Sequence, residues 1–339
     1  LVISVPIAFF AGIGSGSKNG ILFKGSIAIE NRAKADTFVF DKTGTLTKGN
    51  FVLVNQPKEE YLKIAASLES KSTHPLAKAV CHAYQGELFA VDDFENIPGH
   101  GVQGRIEGKT YLRGTLGYLG ENGVKNLKEE VTPYKILYLG IKEGDYLTSF
   151  IVKDEVKGEA KKVRKELKEN GRKKSIVLSG DDQKIVSASL KETGVRKGIG
   201  ELLPEEKLAK VKELSGNGNV CYVGDGINDS PSLLSANVGV SRGALGSDAA
   251  IEASDVVVRD DNLEKVSEAK RLSKKTRKVM IFGVILSLTL KILRMVLVIT
   301  GVRGKYARVV AGVSDTGVRI VAILNALRML FYKPKYIRK

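Results

Sequence analysis

The sequence predicts an α/β protein that combines a doubly wound parallel sheet, an inserted α+β domain and transmembrane helices. Three observations lead to this prediction. Short β-branched runs alternate with amphipathic helical segments, as in a parallel sheet covered by helices. The segment Phe51–Lys142 interrupts this alternation and has a different character. Long apolar stretches lie near both ends of the 339-residue chain.

Short apolar runs are predicted to form the strands of the parallel sheet: Asp36–Phe40, Ser149–Val152, Ser175–Leu178, Val220–Val223 and Val256–Val258. Ligands of such sheets bind beyond the carboxyl ends of the strands. Asp41, Ser179 and Asp225 each follow one of these runs. We therefore expect these three side chains at one edge of the sheet.

The interrupting segment predicts the inserted domain. Helices are expected around Tyr61–Ser70 and Pro75–Tyr84, followed by a meander of strands from Phe94 to Gly140. Pro-Gly and Asn-Gly pairs mark the turns of this meander. The two cysteines are far apart in sequence and have no Cys-x-x-Cys spacing, which indicates neither a zinc cage nor a disulfide framework.

The net charge of +16 would suit a nucleic-acid partner, but the basic residues do not form one stripe. They flank the apolar stretches Leu1–Ile13, Val279–Val302 and Ala307–Phe331, as on the cytoplasmic side of membrane helices. The last two stretches exceed the roughly 20 residues that span a bilayer. We expect a multi-pass protein of the plasma membrane, in contact with lipid and not nucleic acid, with cytoplasmic catalytic domains.

The strongest chemical signal is the string DKTGTLT. It begins at Asp41, where a predicted apolar strand ends. A carboxylate in this place can attack the γ-phosphate of ATP and hold it as an aspartyl phosphate. Gly44 lets the loop approach the phosphoryl oxygens closely, and the threonine hydroxyls can donate hydrogen bonds to them. Asp41 is therefore the predicted nucleophile.

Three further motifs supply partners for such a nucleophile. Asp225 and Asp229, in GDGIND, are four residues apart across a strand-to-helix turn, and their oxygens suit the Mg2+ that phosphoryl transfer needs. Ser179, in a Ser-Gly-Asp string near a helix start, offers a hydroxyl and backbone N–H groups to a phosphate. Lys207, in LPEEK, can supply a fixed positive charge.

In this order, DKTGTLT, SGD, LPEEK and GDGINDSPSL resemble the phosphorylation domain of P-type ATPases, members of the haloacid-dehalogenase superfamily. The resemblance implies that ATP phosphorylates Asp41 and that Ser179 and Lys207 contact the phosphoryl group. It also implies a Mg2+ site formed by Asp41, Thr43, Asp225 and Asp229. The family usually has Thr at the position of Ser179, and the hydroxyl is kept.

A second string, ESKSTHPLA from Glu69 to Ala77, is similar to the SxHPLA signature of heavy-metal P-type ATPases. The inserted domain is then the nucleotide-binding domain. By this resemblance, Glu69 and His74 lie near the adenine of ATP. Gly99 and Gly101 would allow the nucleotide to approach the backbone closely.

Among the ionisable residues within the apolar stretches, Lys291 and Asp315 carry opposite charges and are natural partners. Such groups are costly in a bilayer and are usually functional and paired. Zinc-group heavy-metal ATPases are similar in having a membrane lysine and an Asp-x-Gly aspartate, whereas copper-group members lack both. The resemblance implies ATP-driven export of a divalent cation (zinc, cadmium or lead) that binds Asp315, with Lys291 as its charge partner. Arg319 lies at i,i+4 spacing from Asp315 and could pair with that carboxylate instead.

Leu1–Ser26 resembles the sequence that follows the Cys-Pro-Cys metal site of these pumps, so we expect a C-terminal fragment that works with the missing N-terminal half. The predicted divisions are a truncated transmembrane helix and connector (1–24), the phosphorylation domain (25–48 and 144–276), the nucleotide-binding domain (49–143), a transmembrane hairpin (277–332) and a basic tail (333–339).

Two alternatives stay open from the sequence. The first is a soluble phosphatase of the haloacid-dehalogenase type. Such phosphatases usually carry a second aspartate two residues after the nucleophile, as a general acid and base, where this chain has Thr43. The second is an inactive, truncated pump fragment, because the sequence contains no TGE-type dephosphorylating loop.

Overall fold

The computed structural model describes residues 4–169, 174–226, 229–243, 248–299 and 317–334. The chain forms two compact units. The first unit comprises Leu1–Asp41, Gly158–Gly180 and Gly194–Lys339, and the second comprises Lys42–Lys157 and Asp181–Thr193.

In chain order, the strands of the described residues are β1 Ile21–Phe23, β2 Thr37–Asp41, β3 Thr47–Leu53, β4 Asp92–Ile97, β5 Gly101–Ile106, β6 Lys109–Gly114, β7 Lys135–Ile141, β8 Tyr146–Val156, β9 Lys174–Leu178, β10 Lys197–Ile199, β11 Val220–Gly224, β12 Val238–Arg242 and β13 Val256–Val258.

The α-helices are α1 Ser4–Lys18, α2 Ser26–Lys34, α3 Glu59–Glu69, α4 Pro75–Ala83, α5 Leu116–Glu121, α6 Ala160–Glu169, α7 Gln183–Thr193, α8 Pro204–Gly216, α9 Ser230–Ser235, α10 Asp248–Ala253 and α11 Glu264–Ile299. Residues 317–327 are also helical. They lead into a 3-10 turn at Arg328–Phe331.

The first unit is built on a seven-stranded sheet with the order β1-β13-β12-β11-β2-β9-β10. All its pairs are parallel except β1 with β13. Every residue of β2, β11, β12 and β13 is buried. Helices cover both faces of such a sheet, which explains why these strands are continuous apolar runs. The predicted doubly wound sheet is confirmed.

The prediction that Ser149–Val152 belongs to this parallel sheet is wrong. Ser149–Val152 lies within β8, which pairs antiparallel with β3 and β7 in the sheet of the second unit. Phe150 and Val152 are completely buried there. Because β8 is an interior strand with a covered face, its apolar run has the same composition as a parallel core strand.

The second unit is an antiparallel six-stranded sheet, in the order β3-β8-β7-β6-β5-β4. The core of this unit contains Ile64 and Leu68 of α3, Val80 of α4 and Phe150 of β8. The helices predicted at Tyr61–Ser70 and Pro75–Tyr84 are confirmed, within two residues at each end, as α3 and α4. The predicted meander of strands corresponds to β4 through β7.

Among the described residues, α11 alone is long and apolar enough to cross a membrane, by length and composition. Helix α1 packs against it: a Cβ built on Gly12 would come within 2.5 Å of the Thr276 hydroxyl. The other predicted span, Ala307–Phe331, falls partly outside the described residues. Its predicted pairing with α11 in a hairpin therefore stays a prediction.

Helix α11 is also fastened to helix α2 by a buried lysine. The Lys270 Nζ atom donates hydrogen bonds to the carbonyl oxygens of Arg32, Ala33 and Ala35, at 2.9, 2.8 and 2.6 Å. These carbonyls lie at the end of α2, where helical partners run out. Lys270 thereby caps α2 and ties it to α11.

Candidate active site

Asp41 is the last residue of β2 and is buried. In the parallel register, Asp41 lies opposite Leu178 of β9, and Phe40 lies opposite Val223 of β11. The residues that follow these neighbouring strands, Ser179 and Asp225, therefore reach the same edge of the sheet as Asp41. The juxtaposition predicted from the sequence is confirmed.

Lys207 connects two carboxylates at this edge. Its Nζ atom lies 2.8 Å from Oδ1 of Asp41 and 3.0 Å from Oδ1 of Asp229. Lys207 stands in the first turn of α8, which begins with Pro204. The Glu206 carboxylate accepts a hydrogen bond of 2.8 Å from the Leu203 N–H and fixes the start of this helix.

Burial and neighbouring charges shift the pKa values of this cluster. Burial, together with the charges of Asp229 and Asp225, raises the pKa of Asp41 to about 7 against the opposing effect of Lys207. Burial by itself would lower the pKa of Lys207, but the carboxylates of Asp41 and Asp229 outweigh it, so that the net shift is upward. A single ammonium group thus faces two carboxylates, and the site is deficient in positive charge.

Asp225 is half-buried, whereas Asp229 is buried. A Cβ built on Gly224 would lie 2.7 Å from Oδ2 of Asp229, so the carboxylate requires a glycine at the strand end. No group of three His, Cys, Asp or Glu side chains in the described part of the chain is close enough to hold a metal ion.

Ser179 is buried at the end of β9. Its N–H donates to the Ile199 carbonyl at 3.0 Å, and its carbonyl accepts from the Leu202 N–H at 3.1 Å. These bonds hold the Ser-Gly-Asp turn against the segment that leads into α8. The same segment carries Lys207, which explains how two motifs distant in sequence share one edge.

Lys42 and Asp181 form a pair in the second unit that sequence reasoning missed. The buried Lys42 Nζ lies 2.8 Å from Oδ2 of Asp181, and Lys135 Nζ lies 3.0 Å from its Oδ1. Burial alone would raise the pKa of Asp181, but the two lysines outweigh it and hold that pKa below its usual range. The signal available in the sequence was the Ser-Gly-Asp string, in which only the serine was given a role.

Thr43, which follows Lys42, is exposed. Its hydroxyl donates to Oδ2 of Asp181 at 3.4 Å, near the limit of a hydrogen bond. Gly44 has a φ of 73°, which bends the loop in a way that favours glycine. The roles predicted for Thr43 in phosphoryl transfer and Mg2+ binding stay predictions.

A cavity of about 470 Å³ in the second unit brings together the residues predicted to bind the nucleotide: Glu69, His74, Gly99 and Gly101. His74 is exposed, and its Nδ1 accepts a hydrogen bond of 3.1 Å from the Leu76 N–H at the start of α4. The Nε2 atom of this ring is therefore the nitrogen available to a ligand. Gly101 is needed sterically, because its Cβ would lie 2.2 Å from the Arg113 carbonyl oxygen.

Glu69 is not simply exposed to this cavity. Its buried carboxylate forms an ion pair with the guanidinium of Arg113, a residue of β6 that also lines the cavity. Burial lowers the pKa of Arg113 to about 9. Sequence reasoning missed Arg113, although an arginine inside the apolar end of a strand was a visible signal.

The predicted site for the transported metal consists of Lys291 and Asp315. Lys291 is an exposed residue of α11. Asp315 lies outside the described residues. The pairing of Lys291 with Asp315 therefore stays a prediction.

The sheet is mostly parallel, and an aspartate at the end of a central strand is faced by a lysine and two further aspartates. This combination of fold and site defines the class of protein to which the chain belongs. The family model of haloacid dehalogenase-like hydrolases matches residues 35–237. The chain belongs to this family.

Two curated relatives match nearly the whole chain. The chain is 37% identical to a zinc-transporting ATPase of Synechocystis sp., and the match covers 97% of this chain and 46% of the relative. The chain is 36% identical to a cadmium, zinc and cobalt-transporting ATPase of Bacillus subtilis, and that match covers 99% of this chain and 49% of the relative. The chain thus spans about half the length of these relatives.

A solved structure has the same fold. The crystal structure of a zinc-transporting PIB-type ATPase in the E2.Pi state matches with a TM-score of 0.83 and 27% identity, over 97% of this chain and 55% of that one.

Proposed function

We propose that this chain is the catalytic part of a P-type ATPase that exports a divalent heavy-metal cation, zinc, cadmium or lead, through a phosphate carried on Asp41. One observation supports the catalytic step above the others: the bridge from Lys207 to both Asp41 and Asp229. The similarity to zinc- and cadmium-transporting ATPases supports the transported ion.

The proposed reaction is a phosphoryl transfer in two steps. An oxygen of the Asp41 carboxylate forms a bond to the γ-phosphorus of ATP, the bond from that phosphorus to the β-phosphate oxygen breaks, and ADP leaves. Water then displaces Asp41 and releases inorganic phosphate. Lys207 and Ser179 are proposed to contact the phosphoryl oxygens, because a positive charge and a hydroxyl donor stabilise the transition state of this transfer.

Asp41, Thr43, Asp225 and Asp229 are proposed to hold Mg2+. The residues fit this ion by their chemistry, because their oxygens are the hard ligands it prefers. The ion would have to draw them together, since the described carboxylates do not form a ready metal site. Asp41 and Asp229 share the ammonium group of Lys207, so a further cation would balance the second carboxylate. When bound, Mg2+ neutralises charge on the phosphoryl oxygens and so reduces their repulsion of the nucleophile.

The cavity lined by Glu69, His74, Gly99 and Gly101 is proposed to bind ATP. Its volume lies within the range of small-molecule sites, about 300–1,000 Å³. The close contact between Gly101 and the backbone of β6 leaves no room for a side chain at this point of the cavity wall.

For the transported ion, we propose a membrane site that includes Asp315, with Lys291 balancing its charge when the ion is absent. A carboxylate oxygen suits a divalent ion better than Cu+, which favours thiolate and thioether ligands. Helix α11 would cross the membrane, with the sheets of both units in the cytoplasm.

A soluble phosphatase of the same family is the rival function. It would need a general acid and base two residues after the nucleophile, and Thr43 cannot fill that role. The apolar helix α11 also favours the pump.

The test of the proposed function is phosphorylation of the purified chain in detergent with γ-labelled ATP and Mg2+. We expect one acid-stable adduct that hydroxylamine releases, as an acyl phosphate should, and no adduct in D41N. Label retained by D41N would contradict the assignment. In the full-length protein, stimulation of ATPase activity by Zn2+ or Cd2+ should disappear in D315A, whereas stimulation by Cu+ alone would contradict the proposed ion.

A further inference from the structure

We propose that Arg113 reads the base of the bound nucleotide, by donating hydrogen bonds to a ring nitrogen of the purine. This inference rests on the proposed nucleotide site and assigns a specificity-determining residue within it. It differs from the residues inferred from sequence motifs, because Arg113 belongs to none of them.

The side chain of Arg113 is 4% exposed and that of Glu69 is 3% exposed, and the two form an ion pair. One guanidinium nitrogen, Nη1, is used in this pair. No hydrogen-bond acceptor among the described residues lies within reach of the other two nitrogens, Nε and Nη2. Both nitrogens are enclosed in the free protein, and Arg113 lines the cavity, so a ligand that draws the guanidinium toward the cavity could supply the acceptor.

The surroundings of Arg113 favour a ligand as the acceptor for its two unpaired nitrogens. Its cross-strand neighbours are Val102 and Leu139, both buried apolar residues of the core. A buried ion pair at such a position adds little stability compared with apolar side chains of similar volume. Buried N–H groups without an acceptor are rare and costly. A bound ligand that accepts from Arg113 would remove this cost.

The charge balance of the cavity favours the base over the phosphates as the acceptor. Of the described residues that line the cavity, Arg113 is the only lysine or arginine. Because Glu69 neutralises it, the pair offers no net positive charge to a triphosphate. A neutral purine ring carries nitrogen acceptors in its plane and is small enough for a cavity of about 470 Å³. The planar guanidinium presents its donors in one plane, as an edge of a purine requires.

The experiment is a chemical double-mutant cycle on the full chain in detergent, with binding measured by calorimetry. ATP is compared with 1-deaza-, 3-deaza- and 7-deaza-ATP, each of which lacks one ring acceptor. Removing Arg113 alone would leave the buried Glu69 carboxylate unpaired. The informative comparison is therefore E69Q against E69Q/R113M, with the wild type as reference.

We expect one deaza analogue to bind the wild type and E69Q at least about tenfold more weakly than ATP, as for loss of a hydrogen bond to a charged group. In E69Q/R113M, ATP and that analogue should bind equally. Persistence of the penalty in E69Q/R113M would overturn the inference. So would the absence of any deaza penalty in a wild type that binds ATP.

Two controls keep these outcomes distinct. Failure of the wild type to bind ATP at all would contradict the proposed nucleotide site itself, not only the role of Arg113. If E69Q/R113M does not fold, R113K replaces it, because lysine keeps the charge beside Glu69 but lacks the planar fork. A deaza penalty unchanged in R113K would overturn the inference, and a reduced one would support it.

Discussion

The ammonium nitrogen of Lys207 lies 2.8 Å from a carboxylate oxygen of Asp41, a residue 166 positions earlier in the chain. The contact joins the end of a central strand to the first turn of α8. It places a positive charge beside the nucleophile and beside Asp229 at the same time. Two carboxylates therefore share the positive charge of one side chain, which makes Lys207 the most direct position at which to test the site.

Replacing Lys207 by Met should slow formation of the phosphorylated chain about a hundredfold, the usual cost of removing one group that stabilises a developing charge. The substitution also leaves Asp41 and Asp229 facing each other without the cation. Rapid-quench measurements with labelled ATP would give the rate. K210M is the matched control, since Lys210 lies on the same helix and pairs only with the exposed Glu213 among the described residues. Equal rates for K207M and the wild type would refute the prediction.

A methyl group at Gly101 should disrupt the fold of the second unit, whereas one at Gly99 should leave that fold intact. The Cβ of alanine at position 101 would lie 2.2 Å from the Arg113 carbonyl, which cannot move without breaking the pairing of β5 with β6. At Gly99 nothing lies within 4 Å, and the positive φ of 79° costs only about 1–2 kcal/mol. We expect G101A to unfold at lower temperature than G99A, whereas ATP binding should weaken in both variants because both glycines line the proposed site. Similar melting curves for the two variants would contradict this steric argument.

Asp181 should make the second unit sensitive to acid. Its folded-state pKa is lowered, so its stabilising effect is present above the unfolded value, about 3.9, and is lost as the pH falls below it. D181N leaves the buried Lys42 without this partner and should cost about 3 kcal/mol at neutral pH. The difference between the free energies of unfolding of D181N and the wild type should shrink below about pH 4. Denaturant unfolding at several pH values would measure it.

The matched control for this prediction is D182N. Asp182 is an adjacent, exposed residue whose carboxylate accepts from the Lys184 N–H at the start of α7, a bond that asparagine can keep. The free energy of unfolding of D182N should follow that of the wild type at every pH. If the gap between D181N and the wild type stays constant down to pH 2, the proposed linkage is wrong.

Loss of the Lys270 ammonium should loosen α2 from α11. K270M removes three hydrogen bonds to buried carbonyl oxygens and should destabilise the first unit by about 3 kcal/mol. K278M, an exposed position further along the same helix, controls for the general effect of removing a lysine from α11. Thermal unfolding in detergent compares the two variants. Equal midpoints would show that the cap does not stabilise the fold.

Much of the architecture follows from local sequence. The runs before Asp41, Ser179 and Asp225 are continuous and apolar because parallel strands are covered on both faces, and the carboxyl ends of such strands share one edge. The placement of these three residues could therefore be predicted without any knowledge of contacts. Ser149–Val152 shows the limit of the same reasoning, because an interior antiparallel strand can have an identical pattern.

By itself the sequence determined the order of the elements, the nucleophile motif and the sheet edge on which its partners lie. Only the tertiary structure decided which charges meet: Lys207 with Asp41 and Asp229, Lys42 with Asp181, and Arg113 with Glu69. The reason is physical. Hydrophobic periodicity is a local property of the chain, whereas the pairing of buried charges depends on side chains that folding brings together from distant positions.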